Sequence, residues 1–355
     1  MPDAAVPPHA SAWSALPGRA TSLGSWPGTD PLEAARVAFG ELPEPHIPYL
    51  PELPARGPGA DMIGRGAGLL VDLPVDLQPS GWRLVDRPGR DHERATSWLR
   101  QDLDVLAEVA DGYRGPLKVQ APGPWTLASS LWLPRLERAV VDPGACRDLA
   151  ASLAEGVSRH VADVRRLVPG AQVVVQLDEP SLPGVLAGAL PTASGFGRLR
   201  AVDRGIAEQA LRDVLDAARA AGAVTTVGHC CAPDVPLGLL ARTGTQAVSV
   251  DVGLLGVPGW EAVAELHERG IGLWAGVVAT SGTPRPAPPY APPAPAAVAD
   301  LVWSRWRALG LPATGLDSVV LTPACGLAGA TPVWARAVLT RLREAAAVLA
   351  ERAQS

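Results

Sequence analysis

Residues 171–180, AQVVVQLDEP, decide the fold. A short apolar run, Ala171–Leu177, breaks off at two carboxylates and a proline. It lies between two longer stretches, Pro143–Leu167 and Arg204–Ala221, which are rich in Ala, Leu, Arg and Glu and have helical spacing. A strand-length run alternating with helix-length segments is the mark of βα units, and repeats of that unit build a parallel sheet. Outward from this point the same alternation gives candidate strands at Ala20–Trp26, Gly68–Leu73, Pro116–Ala121, Ala223–Gly228, Ala247–Asp251, Ile271–Val278 and Ser318–Thr322. Further helices are expected at Asp91–Ala110, Trp260–Arg269, Pro295–Leu309 and Pro332–Arg352. With the central run this makes eight strands, and the expected architecture is α/β, a single (β/α)8 TIM barrel.

A chain of 355 residues with 47% hydrophobic content can bury one core of that size. Residues 1–15 read as a frayed tail and 16–355 as the one barrel domain. Pro and Gly are frequent between residues 40 and 90, which predicts a long irregular connection there, able to form part of a substrate pocket. The Pro-rich run Thr283–Pro295 reads as a loop within the barrel, because only one further strand follows it.

The formal charge of -5 is spread along the chain without a Lys/Arg run, which argues against nucleic acid and against an anionic membrane surface as partners. The start, MPDAAVPPHA, lacks the basic and apolar regions of a leader, and no window approaches the ~18 apolar residues of a membrane span. A cytoplasmic protein is expected. Four cysteines are too few for a disulfide scaffold at this length, so metal or thiol chemistry is their better use. Abundant Ala and Arg beside a single lysine, Lys118, read as the coding bias of a GC-rich genome.

The chemistry lies at strand ends, because a barrel gathers its active site where the C-terminal ends of its strands converge. Polar residues stop five runs: Asp178 and Glu179 in QLDEP, His229 and Cys231 in VGHCC, Asp251 in VSVDVG, Thr280 and Ser281 in VVATSG, and Cys325 in LTPACG. Residues two apart on a strand share a face, so His229 and Cys231 can grip one metal while Cys230 points away. With Cys325 and Asp251 they make a plausible tetrahedral zinc shell. The plain alternative is that such cysteines are small buried hydrophobes, and for Asp178 that it caps a helix ahead of Pro180.

In order along the chain, SLGSWPG, GPWT, QLDEPSLP, GHCC, SVDVG and TPACGL resemble motifs of the C-terminal catalytic domain of cobalamin-independent methionine synthase, over roughly residues 20–345. The resemblance implies zinc on His229, Cys231 and Cys325, with Asp251 where the family has Glu. It implies that Leu23, Gly24 and Ser25 contact an amino-acid substrate, and that Asp178 and a second acid, Glu52, receive its ammonium. The implied activity is that of a methyltransferase in methionine biosynthesis, with homocysteine or a similar thiol activated at zinc and then methylated.

The donor side departs from the family. The proton-donating histidine is replaced near Ser281, the stacking tryptophan falls near Ser130 with Trp132 as a possible substitute, and the acidic folate contact falls near Gly184. The methyl donor therefore stays open between folate, a corrinoid carrier protein and another donor. Other zinc thiol alkyl transfers, of the corrinoid or epoxide and coenzyme M type, a non-catalytic zinc protein, and a metal-free decarboxylase-like barrel are the alternatives. Only one barrel fits in the chain, so it resembles the short members of the family.

Overall fold

The computed structural model describes residues 18–134, 137–280 and 291–354. In chain order they form β1 (Arg19–Ala20), α1 (Pro31–Glu41), α2 (Met62–Leu69), β2 (Val75–Gln78), β3 (Gly81–Leu84), α3 (Arg90–Val109), β4 (Gly115–Pro122), α4 (Pro124–Ser130), α5 (Pro143–Leu167) and β5 (Ala171–Asp178). There follow α6 (Leu182–Ala187), α7 (Arg204–Ala220), β6 (Thr225–Cys230), α8 (Leu237–Arg242), β7 (Ala247–Asp251), α9 (Val257–Glu268), β8 (Gly272–Val278), α10 (Pro295–Ala308), β9 (Val319–Pro323) and α11 (Pro332–Ala353). Seven strands make one parallel sheet in the order β1-β9-β8-β7-β6-β5-β4, and β2 and β3 make a separate antiparallel hairpin. The expected tail at 1–15 lies outside the described residues, as does the Pro-rich loop up to Tyr290.

The expected strand Gly68–Leu73 is a correction. Its first residues end α2, a helix started by Asp61, whose carboxylate accepts from the amides of Ile63 and Gly64. The chain then turns through Asp72, at φ 57. The segment next to β1 is instead Ile47–Glu52. The Ile47 amide donates to the Ala20 carbonyl at 3.0 Å, Glu52 exchanges backbone bonds with Gly24 and Trp26, and Leu50 and Pro48 exchange bonds with Lys118 of β4. This irregular segment thus bonds to both outer strands of the seven-stranded sheet.

Alternation sorts the side chains into two compartments. Val173, Val175 and Leu177 of β5, with Val248, Val250, Leu273, Ala275, Val319 and Leu321, join the main core under the helices. The opposite face starts apolar: Ile47, Val174, Val227, Ala247, Trp274 and Val320 form a separate cluster, a floor. Further along the strands that face turns polar, with Gln120, Gln176, Asp178, His229 and Ser249, all buried, while buried Lys118 stands opposite Val174 at the border of floor and polar layer. A polar layer over an apolar floor, toward the C-terminal ends of the strands, is where the chemistry must sit.

On the outside, α5 buries Leu149, Leu153, Val157, Val161 and Val164 at helical spacing, about 1.5–3 kcal/mol for each large side chain. None of the described helices is long and apolar enough to cross a membrane.

Gly156 sits on α5 where a Cβ would come 1.9 Å from the Leu69 carbonyl oxygen at the end of α2. Alanine is the better helix former by about 1 kcal/mol, yet the overlap forces α5 off α2. Gly156→Ala is expected to lower the unfolding free energy by about 1–3 kcal/mol in a urea titration, whereas propensity alone would raise it.

Candidate active site

β5 and β6 pair with Asp178 opposite His229, and β6 and β7 with His229 opposite Ser249. Nδ1 of His229 lies 3.1 Å from both the carbonyl and the hydroxyl oxygen of Ser249. A carbonyl only accepts, so Nδ1 carries the proton and Nε2 keeps its lone pair. Burial lowers the His229 pKa to about 4, which leaves the ring neutral at neutral pH. This is the state in which imidazole binds a metal.

Cys231 follows directly on β6, and Cys325 stands two residues past β9. Their sulfurs lie 3.0 Å apart although 94 positions separate them in the chain, and both are free thiols. A hydrogen bond from Cys231 lowers the Cys325 pKa to about 6, while the Cys231 thiol is raised by the same bond. The two share one proton, so the pair carries one negative charge near neutral pH. Cys230 and Cys146 are buried elsewhere, and burial pushes their thiols up to about 12 and about 11. Only Cys231 and Cys325 of the four thiols are in contact with each other.

Asp251 ends β7, and its Oδ1 accepts the Gly253 amide at 2.8 Å, capping the short turn at Val252–Leu254. Burial raises its pKa. Among the described residues, no three of His, Cys, Asp and Glu are gathered into a ready metal shell. The sulfurs meet and His229 is oriented by its neighbour, whereas Asp251 bonds its own turn. Two thiolates on one tetrahedral zinc at about 2.3 Å each stand roughly 3.8 Å apart, so the sulfur pair fits such an ion after opening by under about 1 Å.

The residues expected to meet an amino acid form a continuous wall beside the sulfurs. The Gln176 amide donates to the Leu23 carbonyl at 2.8 Å and to Asp178 at 2.7 Å. Gly24, at φ +133, presses on Gln120, where any Cβ would come within 2.7 Å of the side chain. Ser25 pairs with Glu52, and its carbonyl accepts the Leu327 amide at 3.0 Å. A Cβ on Gly326 would come 2.1 Å from the Ser25 hydroxyl oxygen, so Ser25 packs directly on the turn that carries Cys325.

Glu52 lies 3.4 Å from Arg65, and Arg65 and Arg56 both bind Asp102, the latter at 2.8 Å. Asp178 is buried and its carboxyl raised, first by burial and then by Glu52. It caps no helix, because α6 begins at Leu182 with Ser181 at its cap position. The adjacent Glu179 faces the start of α4, where it accepts from the Trp125 and Thr126 amides at 2.9 and 2.8 Å and from the Thr126 hydroxyl at 2.7 Å.

The sequence reading missed Lys118, Gln120, Gln176, Ser249 and Arg65. A signal existed for most of them: PLKVQA and VVVQLD each place polar residues two apart in an apolar run, which marks an interior polar face. On the donor side, Ser130 ends α4, Gly184 packs in α6 against Leu190, and Ser281 lies outside the described residues. Trp132 is tied to the β2–β3 hairpin by backbone bonds to Trp82 and Leu84, and Arg138 lies over its ring at 5.1 Å. A small cavity lined by Arg19, Thr225 and Trp274 lies at the opposite end of the strands, away from the thiols.

A parallel α/β sheet with a thiol pair past its strand ends and the buried acids Asp178 and Glu52 nearby has the layout of a strand-end enzyme site. The family described as cobalamin-independent synthase, catalytic domain, matches residues 19–348, and the chain belongs to this cobalamin-independent methionine synthase family. No curated protein matches the sequence. Among solved structures the fold is similar to that of a B12-independent methionine synthase from Shewanella sp. W3-18-1 in complex with selenomethionine, at TM-score 0.56 and 12% identity, with 95% of this chain and 98% of that chain covered. A family that works without cobalamin lends no support to the expected corrinoid carrier protein.

The Asp102 carboxylate holds the two guanidiniums behind Glu52. Asp102→Asn leaves them short of a buried anion and is expected to lower stability by about 3–5 kcal/mol in denaturant unfolding. A loss below about 1 kcal/mol would mean that Asp102 does not anchor them.

Proposed function

We propose that the chain is a zinc-dependent S-methyltransferase of methionine biosynthesis that activates homocysteine or a close amino-acid thiol. The contact at 3.0 Å between Cys231 and Cys325 carries this reading, since it joins two distant strand ends close to the buried acid Asp178. His229, through Nε2, and the two sulfurs hold the metal. Asp251, one methylene shorter than the family's Glu and engaged with Gly253, is the contact most readily exchanged. When bound, zinc lowers the pKa of a thiol placed on it, so that a nucleophilic sulfur is available at neutral pH.

The protein's own groups do the rest. Asp178, oriented by Gln176, and Glu52, backed by Arg65, receive the ammonium of the amino acid. Backbone groups of Leu23–Ser25 and the Ser25 hydroxyl take its carboxylate. Both ends of the substrate are then fixed, and its side-chain sulfur reaches toward Cys231 and Cys325. The segment Ile47–Glu52, bonded on both sides, supports reading the sheet as a TIM-like barrel with an irregular eighth stave, residues 16–355 forming its single domain. A cytoplasmic location with small-molecule partners accords with this role.

Protein purified without added metal is expected to hold about one zinc per chain. Cys231→Ser and Cys325→Ser lose it, Cys230→Ser and Cys146→Ser keep it, and Asp251→Ala weakens it less than either of the first two. Elemental analysis of the five variants decides, and equal retention in all of them would remove the proposed centre.

The resemblance puts Ser130 and Gly184 near the places of the family's stacking and acidic folate contacts. Saturating methyltetrahydrofolate with homocysteine is therefore expected to give little methionine, while a small activated methyl donor alkylates the bound thiol. Turnover with the folate at roughly 1 per second or faster would restore the ordinary methionine synthase donor.

A further inference from the structure

Thirty arginines and one lysine make up the side-chain cations other than histidine, and among the described residues the lysine is the most deeply enclosed of them. Lys118 has no solvent exposure. It lies on β4, whose backbone at this residue pairs with Tyr49. Its ammonium donates to Oε1 of Gln120 at 2.9 Å and lies 5.6 Å from the centre of the Tyr49 ring. The amide of Gln120 in turn donates to the Leu50 carbonyl at 2.7 Å, two residues from Glu52. A composition that has arginine everywhere else, yet lysine here, points to a requirement of the place. Lysine offers a compact ammonium with rotatable donors, whereas arginine would bring a planar guanidinium with a fixed fork of five.

A buried ammonium needs a compensating anion. Glu52 and Asp178 act on Lys118 as attractive charges, and burial lowers its pKa to about 8 against that pull. The other charged or titratable groups facing this layer are Arg65 beside Glu52, neutral His229, and the Cys325 thiol near Asp178. No ion pair within 4 Å joins Lys118 to either carboxylate among the described residues; Glu52 lies against Arg65 and Asp178 accepts from Gln176. Arg56, Arg65 and Asp102 stand behind Glu52, on the side away from Lys118.

We propose that Lys118 is a positioning residue of the ligand pocket: its ammonium fixes Gln120 against Leu50 and balances Glu52 and Asp178, so that the pocket recognises the amine of an amino-acid ligand. Lys118 itself does not touch the ligand. The inference rests on the proposed amino-acid site, and the test separates the two.

L-Methionine and 4-(methylthio)butanoate, the same molecule without the amine, are titrated into the zinc-loaded protein and its Lys118→Met variant by calorimetry, with the weaker ligand read by competition. The variant is expected to bind methionine about tenfold or more weakly, while its affinity for the deaminated analogue changes by less than about twofold. Equal weakening of both ligands would reduce Lys118 to a packing role, and an unchanged affinity for methionine would also overturn the proposal. If the variant does not fold, the wild type suffices: one lysine gives one side-chain signal with 13C-lysine labelling. That signal is expected to shift on saturation with methionine and much less with the analogue, and a signal indifferent to bound methionine overturns the proposal. Wild-type protein that binds neither ligand would sink the amino-acid site, and this inference with it, whereas loss of Lys118 selectivity alone leaves that site standing.

Discussion

The backbone bonds of Ile47–Glu52 to β1 on one side and β4 on the other are the constraint on which the site depends. They place Glu52 against Gly24 and Ser25, Tyr49 against Lys118, and Leu50 against Gln120. Without that segment the polar layer would be open to water between two strands, and its charges would act through a high dielectric. With it, the Gln176 bridge between Leu23 and Asp178 is fully buried.

The thiol pair depends on the same arrangement by another route. Ser25 continues β1 past the segment and packs on Gly326, which fixes the turn bearing Cys325. Cys231 arrives from β6, whose register is set by pairing with β5 and β7. Metal-binding and amino-acid-binding residues therefore share one support, and a shift of β1 against the segment would disturb both. The cluster of Arg56, Arg65 and Asp102 stiffens the outer side of this support, behind Glu52.

Seven of the strands were legible in the sequence because period-two alternation and βα spacing are local properties. The role of Ile47–Glu52 was not, for a physical reason. HIPYLPELP carries Pro48, Pro51 and Pro54, which reads as a loop. Yet the amides that the neighbours use belong to Ile47, Leu50 and Glu52, and the prolines fall where no amide hydrogen is required. The apolar run Gly68–Leu73 was the more tempting strand, but Asp61 caps a helix that runs into it. Pairwise geometry was equally out of reach. Spacing puts Asp251 at a strand end, but only coordinates reveal that its carboxylate turns to Gly253.

The composition acquires a second meaning through Lys118. Acylating reagents attack uncharged amines and ignore guanidiniums, so the chain offers them its α-amino group and one further nitrogen, sealed between Tyr49 and Gln120. In the native state that nitrogen is out of reach. Its modification would mark molecules in which the segment Ile47–Glu52 has parted from β4, which makes the only lysine a built-in chemical record of opening at that edge of the sheet.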